Sequence, residues 1–341
     1  MTQSNRKWVL KHRPTKSVGA DELELVESPI PEPGEGEVLI RNILLSLDPT
    51  NRIWMSDREQ YMPPVGIGDV MRGGTLGVVE KSLSDRFAEG DLVIPAEGGW
   101  QTHTVAPAAM CSRVQRIPGV PLSAHMSVLG ATGLTAYFGL TDICQPKAGE
   151  TLVISAAAGA VGSIVGQIAK QRGCRVIGIA GGPEKCRWLV DELGFDAAID
   201  YRNEDVGAAL DRLAPDGIDM NFENVGGKIM DAVFSRLRKF GRMALCGMIS
   251  QYNDEGPMAG PSDFGHILMQ RLTVRGFIVI DYLPRAREAL AELGPWVADG
   301  SIKWNDHVVD GIENALDALQ LLFSGGNEGK LLLRLSPDPE G

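Results

Sequence analysis

The stretch Thr151-Leu-Val-Ile-Ser155, followed by Ala156-Ala-Ala-Gly-Ala-Val-Gly162 and Ser163-Ile-Val-Gly-Gln-Ile-Ala-Lys170, predicts a buried strand, a small-residue turn and a helix. Gly159 and Gly162 lack side chains where a backbone must approach a pyrophosphate and where the helix must pack on the strand. Free N–H groups at the helix N-terminus are suited to phosphate. Ala157 occupies the first glycine position of the G-x-G-x-x-G fingerprint, and ordinary strand-to-helix turns use the same small residues. The turn alone leaves both interpretations open.

A second apolar strand, Cys174-Arg-Val-Ile-Gly-Ile-Ala180, begins at the distance that a parallel crossover requires. The two strands together favour a nucleotide-binding unit. Enzymes that use NAD usually carry an acid at the end of this second strand for the ribose 2′-hydroxyl, whereas a 2′-phosphate requires a cation. Here Gly181-Gly182 ends the strand and Lys185 follows, which predicts NADP(H), although Glu184 is adjacent to the lysine.

The composition is that of an ordinary globular protein. The 341 residues can form one large domain or two, and 44% of them are hydrophobic. The net charge is −11 and no run of lysine and arginine exceeds two residues, so we expect neither a nucleic acid nor an anionic membrane as a partner. Because no long apolar segment or signal-peptide core is present, we expect a cytoplasmic protein.

Cysteines and histidines offer no metal-binding pattern. The five cysteines are scattered without a C-x-x-C pair, and the five histidines include no H-E-x-x-H pair. We therefore expect no disulfide framework and no metal site, and we interpret the thiols as buried or idle.

Two regions of the chain differ in their pattern of predicted strands and helices. Up to about residue 120, proline and glycine separate short strand-like runs, which predicts a largely β, barrel-like domain. From about Ser127 strands alternate with helices, which predicts a parallel doubly wound sheet with strands at 151–155, 175–180, 197–200, 219–223, 241–246 and 272–280. A final helix over 311–323 and a strand over 329–335 could return to the first domain.

Several motifs now stand in a recognisable order. After the β-rich region come Gly130-Ala-Thr-Gly-Leu-Thr-Ala-Tyr137, the 156–162 turn, Phe222-Glu-Asn-Val-Gly-Gly227 and Gly241-Arg-Met-Ala-Leu-Cys-Gly247. Together they resemble the medium-chain dehydrogenase/reductase superfamily, and more narrowly its zinc-free branch of prostaglandin reductases, leukotriene hydroxydehydrogenases and double-bond reductases. The resemblance extends from Leu45-Ser-Leu-Asp-Pro49 to Gly326-Asn-Glu-Gly-Lys330, which is nearly the whole chain.

The resemblance implies an α/β fold with two domains. Residues 1–126 and 306–341 are expected to form a β-rich, GroES-like barrel domain. Residues 127–305 are expected to form a doubly wound parallel Rossmann sheet that binds NADP. A homodimer is expected through the edge of that sheet near residues 272–280.

The same resemblance implies an activity. Members of the branch use NADPH to reduce the carbon–carbon double bond of α,β-unsaturated ketones and aldehydes, so a small hydrophobic enone or enal is the expected substrate. Two alternatives stay open: an NADPH:quinone oxidoreductase of the same superfamily, and a non-catalytic nucleotide-binding sensor. The intact loop around Tyr252 argues against the sensor.

The resemblance also implies cofactor contacts along the chain. The turn holds the pyrophosphate, Lys185 and Tyr201 approach the adenosine phosphate, and Asn224 touches a ribose. The 246–252 loop lies along the nicotinamide half, 277–279 contact the nicotinamide by backbone, and Asn327 closes the site. The full set is Ala158, Gly159, Ala160, Val161, Gly162, Lys185, Tyr201, Asn224, Cys246, Gly247, Met248, Ile249, Ser250, Gln251, Tyr252, Phe277, Ile278, Val279 and Asn327. Taken singly, most of these residues also fit ordinary roles in turns or the core.

Zinc enzymes of the superfamily carry a Gly-His-Glu segment where this chain has Arg72-Gly-Gly-Thr-Leu-Gly77, without a histidine. Without a Lewis acid, alcohol dehydrogenation becomes less plausible, whereas conjugate reduction needs hydride delivery and stabilisation of an enolate. Tyr252 is the candidate donor to the enolate oxygen, directly or through a ribose hydroxyl, because a neutral phenol donates a hydrogen bond. Solvent can be the acid instead, and Tyr252 can simply pack on the cofactor.

Departures from the family pattern bear on the substrate pocket. The familiar Asp-Pro-Tyr-Met-Arg motif is here Asp48-Pro-Thr-Asn-Arg52, so Thr50 replaces an aromatic ring and a wider or more polar pocket is expected. Residues 53–71 suit either a wall over a hydrophobic substrate or an ordinary surface loop. The predicted pocket residues are Thr50, Arg52, Tyr61 and Thr132.

Overall fold

The computed structural model describes residues 4–339, which contain two large β-sheets. Within these residues the strands are β1 (Ser4–Leu10), β2 (Leu23–Pro29), β3 (Glu37–Ser46), β4 (Thr75–Ser82), β5 (Leu92–Pro95), β6 (His103–Pro107), β7 (Cys111–Arg113), β8 (Thr151–Ile154), β9 (Arg175–Ala180), β10 (Ala197–Asp200), β11 (Ile218–Glu223), β12 (Leu237–Leu245), β13 (Thr273–Gly276), β14 (Asp306–Asp310) and β15 (Lys330–Arg334). The α-helices are α1 (Thr50–Trp54), α2 (Ala131–Phe138), α3 (Ala160–Gln171), α4 (Pro183–Arg187), α5 (Val206–Leu213), α6 (Gly227–Phe234), α7 (Gly265–Gln270), α8 (Ala286–Ala298) and α9 (Ala315–Ser324).

The six-stranded sheet has the strand order β10-β9-β8-β11-β12-β13, and every neighbouring pair is parallel. This is the 3-2-1-4-5-6 order of dinucleotide-binding folds, and the predicted doubly wound parallel sheet is confirmed. Strand order reverses between β8 and β11, so the crevice beyond their carboxyl ends is where a ligand of this fold binds.

Helix α3 packs tightly on this sheet because two of its glycines remove side chains at the contact. A Cβ on Gly166 would lie 1.9 Å from the Phe195 ring, and a Cβ on Gly162 would lie 2.6 Å from the Ala156 carbonyl oxygen. Val165 and Ile168 of the helix are fully buried in the core. Gly162 and Gly166 therefore allow α3 to lie close to the sheet.

The edge of the sheet differs from the prediction. The strand predicted over 272–280 ends at Gly276, because its ladder follows β12 only as far as Leu245. The chain then turns into a 3-10 segment, Val279–Arg285, in which Tyr282 stacks on Phe138 with ring centroids 4.7 Å apart. Because the Tyr282 ring is buried in the core, the chain after Gly276 leaves the plane of the sheet.

The second sheet has the order β14-β15-β3-β4-β5-β7, and β6 also pairs with β3. Strands β14 and β15, at one edge of this sheet, come from the end of the chain. Strand β15 pairs antiparallel with β3 and parallel with β14. The final predicted strand is therefore present, while the predicted helix over 311–323 begins with a 3-10 turn before α9. The domain boundaries at residues 126 and 306 stay predictions.

A membrane span is not found in the described part of the chain. Within residues 4–339, no helix is both long and apolar enough to cross a bilayer.

Candidate active site

The predicted cofactor residues lie mostly at one edge of the parallel sheet. The carboxyl ends of β8, β9, β10, β11, β12 and β13 lead directly into the segments that start at residues 155, 181, 201, 224, 246 and 277. Since these ends meet at the same edge, residues far apart in sequence share one crevice. Asn327 reaches it from the C-terminal segment, where the Gly329 N–H donates to the Ala158 carbonyl at 3.2 Å.

The 156–162 turn has the shape of a phosphate cradle. Ala156 adopts a left-handed conformation with φ of 49°, and Gly159 precedes the first helical residue, Ala160. The first N–H groups of a helix have no partner within it, and in α3 they open into the crevice at the strand-order reversal. A Cβ on Gly162 would meet the turn's own backbone, so that glycine is required by packing. These residues fit a pyrophosphate.

Lys185 and Tyr201 lie at the end of β9. The Lys185 Nζ donates to the carbonyls of Gly325 at 2.8 Å and Asn327 at 2.5 Å. Burial lowers the pKa of Lys185, and the nearby charges of Glu328 and Arg202 respectively raise and lower it. The Tyr201 hydroxyl lies 2.9 Å from where a Cβ on Gly181 would be.

An acid that the sequence interpretation did not consider also lies here. The Asp200 carboxylate accepts from the backbone N–H groups of Gly182 at 2.8 Å and Arg202 at 3.1 Å, and from the Asn203 amide at 2.7 Å. Burial acts to raise the pKa of Asp200, but these hydrogen bonds and the charge of Arg202 outweigh it and hold the pKa below its ordinary value. The carboxylate therefore closes the turn, and its oxygens are engaged by the protein itself.

Glu223, at the end of β11, is a fully buried carboxyl group that the sequence interpretation also left without a role. Its Oε1 accepts from the Ser155 hydroxyl at 2.9 Å and from the N–H groups of Val225 at 2.7 Å and Gly226 at 2.8 Å. Its Oε2 accepts from the Asn221 amide at 3.2 Å. Burial raises the pKa of Glu223, while all four donors act in the opposite direction. The signal in the sequence was an acid as the last residue of a strand in which apolar and polar residues alternate.

Asn224 is oriented by the same cluster. Its backbone N–H donates to the Ser155 hydroxyl at 2.8 Å, and its side-chain amide donates to the Ser155 carbonyl at 2.7 Å. Ser155 ends β8, so these bonds lock the β11 loop onto the glycine turn. The predicted contact of Asn224 with a ribose stays a prediction.

The loop after β12 is fastened to the β11 loop by its backbone. The N–H groups of Cys246 and Gly247 donate to the Glu223 carbonyl at 2.9 and 3.1 Å, and that of Ile249 donates to the Asn224 carbonyl at 3.1 Å. The Ser250 hydroxyl donates to the Val225 carbonyl at 2.6 Å. Burial, then the charge of Glu223, raises the pKa of Cys246 to about 12, which fits an inert thiol. Further along, the Gln251 amide donates to the Ala259 carbonyl at 3.1 Å.

Tyr252 is buried in this loop. Its hydroxyl accepts from the Met248 N–H at 3.0 Å. A phenol that accepts one hydrogen bond retains its own O–H for donation. Burial raises the pKa of Tyr252 to about 12, so the group is neutral at physiological pH. The structure thus holds a neutral donor at the end of β12.

At the end of β13, the Phe277 ring belongs to the core. It packs edge-on against Phe222 and Tyr282, with ring centroids 6.1 and 6.2 Å away. Because the ring is packed against the core, the backbone of residues 277–279 is the part of this segment that lies along the sheet edge. The predicted contact of this backbone with nicotinamide stays a prediction.

Tyr61 supplies an aromatic ring beside Thr50. The hydroxyls of Thr50 and Tyr61 are hydrogen-bonded, and the Trp54 indole N–H donates to the Tyr61 hydroxyl at 3.0 Å. These partners cover the hydroxyl end of an otherwise exposed side chain, and burial raises the pKa of Tyr61. Tyr61, in the loop that follows, therefore supplies the aromatic ring that the 48–52 motif lacks.

The structure does not bring Arg52 to that surface. Its guanidinium is buried and donates to the carbonyls of Pro14 and Lys16, both at 3.0 Å, and to the Ser56 hydroxyl at 2.7 Å. Arg52 therefore ties α1 to the N-terminal segment, which satisfies its donors inside the protein. Thr132, at the start of α2, is also buried, and its hydroxyl donates to the Ser127 carbonyl at 2.8 Å.

Gly73, in the segment that aligns with the zinc enzymes' Gly-His-Glu, has no room for a larger side chain. A Cβ on Gly73 would lie 2.7 Å from the Trp100 ring and 2.8 Å from Leu45. Over residues 4–339, no three His, Cys, Asp or Glu side chains are grouped to hold a metal ion. The residues at this position do not fit zinc.

Comparison with known proteins gives matches to two families, described as N-terminal domain of oxidoreductase over residues 6–114 and as zinc-binding dehydrogenase over residues 160–298. The chain is 42% identical to NADPH-dependent curcumin reductase of Escherichia coli (strain K12), over 98% of each chain. It is 38% identical to 2-alkenal reductase (NADP(+)-dependent) of Nicotiana tabacum, again over 98% of each. The solved structure of CurA in complex with NADPH from Vibrio vulnificus has a TM-score of 0.92 at 44% identity, over 98% of this chain and all of that one. This chain therefore belongs to the medium-chain dehydrogenase/reductase superfamily, in its zinc-free branch.

Proposed function

We propose that the protein uses NADPH to reduce the carbon–carbon double bond of α,β-unsaturated ketones and aldehydes. The observation that carries the proposal is Tyr252, a neutral phenol donor held at the end of β12 beside the loops that are predicted to bind the cofactor. The relatives named above as curcumin and 2-alkenal reductases support the same chemistry.

NADPH, when bound, supplies the hydride that is added to the β-carbon of the substrate. The glycine turn binds its pyrophosphate, and the Ser155–Asn224 bonds orient the loop at its ribose. Tyr252 donates a hydrogen bond toward the developing enolate oxygen, where a fixed dipole stabilises charge most effectively. A proton on the α-carbon, from solvent or relayed through Tyr252, completes the reduction. Tyr61, held by Thr50 and Trp54, forms an aromatic wall for the substrate.

A substrate panel tests the proposal. The enzyme with NADPH is given an enone, an enal, the saturated ketone and a benzoquinone, and oxidation of NADPH is followed by absorbance. We expect turnover of the enone and enal but not of the saturated ketone, with rates unchanged by prolonged chelation. Deuterium delivered from labelled NADPH should appear at the β-carbon by mass spectrometry. Turnover of the quinone alone would establish the quinone oxidoreductase instead, and NADPH binding without any turnover would establish the sensor.

Replacing Lys185 by alanine should remove most of a preference for NADPH over NADH. A charge-assisted contact to the 2′-phosphate is lost, so we expect the Kd for NADPH to rise about tenfold or more while the Kd for NADH changes little. Isothermal titration measures both constants. Lys170→Ala is the matched control, because that lysine lies at the end of α3 and pairs with Asp196. Equal affinity of the parent protein for NADPH and NADH would contradict the assignment.

We also propose that the protein is a cytoplasmic homodimer. The support for pairing is the edge strand β13, whose residues are exposed, and nearby α7, where the side chains of Leu268 and Met269 are 71% and 62% exposed. An exposed strand edge is a template for a second strand. For location, the support is that all five cysteines are free, as is usual in reducing compartments. Sedimentation of the full chain tests the assembly.

A further inference from the structure

Two positive side chains lie together at the end of β9. The Arg202 Nε lies 2.9 Å from the position of a Cβ on Gly181, on the same side as the Tyr201 hydroxyl. Lys185 lies in the neighbouring helix α4 and is close enough for Arg202 to act on its charge. This is the place where enzymes of this fold read the substituent on the adenosine ribose.

Both cations are held by neutral oxygens from one short segment, residues 324–327, which we call the strap. Arg202 donates to the Ser324 carbonyl at 3.0 Å, and Lys185 donates to the carbonyls of Gly325 and Asn327. Over the part of the chain that the structure describes, neither side chain lies within salt-bridge distance of a carboxylate. Glu328 acts on Lys185, and Asp200 on Arg202, only at longer range, and the Asp200 oxygens accept hydrogen bonds from the N–H groups of Gly182 and Arg202 and from the Asn203 amide.

A pair of like charges held by neutral carbonyls is an incomplete electrostatic arrangement. Burial and the nearby charge of Arg202 disfavour the charged form of Lys185, and an anion beside the two cations would relieve that cost. A phosphate monoester carries close to two negative charges and three acceptor oxygens, and the planar fork of an arginine matches its geometry better than an ammonium does.

We propose that Arg202 is a specificity-determining residue that, together with Lys185, selects a cofactor carrying a 2′-phosphate, and that the strap carbonyls hold the two cations in position for it. The proposal rests on the proposed function only for the identity of the cofactor. Arg202 acts by direct contact with the phosphate, and its backbone bond to Asp200 is independent of its side chain.

The test uses two probes that differ by one phosphate, 2′,5′-ADP and 5′-ADP, titrated calorimetrically into the full-length protein. The parent should bind 2′,5′-ADP the more tightly. Arg202→Gln should lower the affinity for 2′,5′-ADP by about 10- to 100-fold and the affinity for 5′-ADP by less than about twofold. Arg202→Lys should fall between these values, because it keeps the charge and loses the fork. Arg187→Gln, which removes an exposed arginine from the end of α4, is the matched control and should leave both affinities unchanged.

Salt dependence gives a second readout. Added salt should weaken 2′,5′-ADP binding more steeply in the parent than in Arg202→Gln, since one phosphate contact is missing in the variant. Thermal unfolding of the variants shows whether they are folded. If Arg202→Gln is folded and keeps the parent's discrimination between the probes, the proposal is wrong and Arg202 only fastens the strap. Because no enone is present, a failure of the enone reductase proposal would leave these affinities unaffected.

Discussion

Replacing Glu223 by alanine is expected to lower the midpoint of thermal unfolding by about 10 °C. The substitution leaves four donors without an acceptor in a fully buried place: the Ser155 hydroxyl, the Asn221 amide and the N–H groups of Val225 and Gly226. Buried donors without partners cost about 1–3 kcal/mol each, and partial relaxation limits the total to about 3–5 kcal/mol. For a domain of this size, that loss corresponds to the stated shift. Scanning calorimetry measures it.

Glu223→Gln is the informative companion of the alanine variant. The glutamine carbonyl can still accept from Ser155, Val225 and Gly226, and its amide faces Asn221. The Asn221 Oδ1 atom is buried without a hydrogen-bond partner, so a flip of that side chain offers an acceptor to the new amide. We therefore expect Glu223→Gln to unfold within about 3 °C of the parent. An alanine variant that is as stable as the glutamine variant would show that the carboxyl group does not hold the two loops.

Removing the Tyr252 hydroxyl, as in Tyr252→Phe, is expected to lower kcat for an enone by roughly tenfold or more, with NADPH affinity little changed. One donor aimed directly at developing charge is typically worth about 10²–10³ in rate, and less if it acts through a ribose hydroxyl. The ring remains in its buried position. Steady-state kinetics and calorimetry measure the two constants separately.

The pH profile sharpens this test. Burial raises the pKa of Tyr252 to about 12, so the phenol stays protonated as pH rises through the neutral and mildly alkaline range. The kcat/KM of the parent should therefore show no loss from this group below about pH 11. Tyr282→Phe is the control, since it removes a buried phenol hydroxyl that has no hydrogen-bond partner. If Tyr252→Phe matches the parent rate, the enolate is stabilised by another residue or by solvent.

Local patterns in the sequence were enough to predict the parallel sheet. Strand β9 spans 175–180 and β10 spans 197–200 as predicted. The apolar run of β9 is typical of a strand buried on both faces, whereas β10, at the edge of the sheet, is only partly buried. The edge strand was predicted too long. Nothing in the run 272–280 shows that β12 ends at Leu245 or that Tyr282 packs back onto Phe138. Those limits come from contacts between distant segments.

Side-chain direction was the least predictable part of the site. Arg52 lies in a motif shared with the family, yet its donors turn inward to the carbonyls of Pro14 and Lys16. Arg202 adjoins the predicted Tyr201, and only the neighbouring positions of β9 and β10 in the sheet bring it to Gly181. A rule that examines the last residue of each parallel strand and the two residues after it would have included both Glu223 and Arg202.

The pairing of β15 with β3 joins Leu332 to Ser46 and Leu333 to Leu45, across most of the length of the chain. Such distant pairs form late, because loop closure must precede the contact. On the ribosome, the parallel sheet can assemble as soon as β13 has emerged. Residues 44–46 of β3, which β6 does not cover, wait with one edge open until synthesis is nearly finished. An open β3 edge invites pairing with other chains, so interrupted translation or loss of the last ten or so residues of this sheet exposes the protein to aggregation.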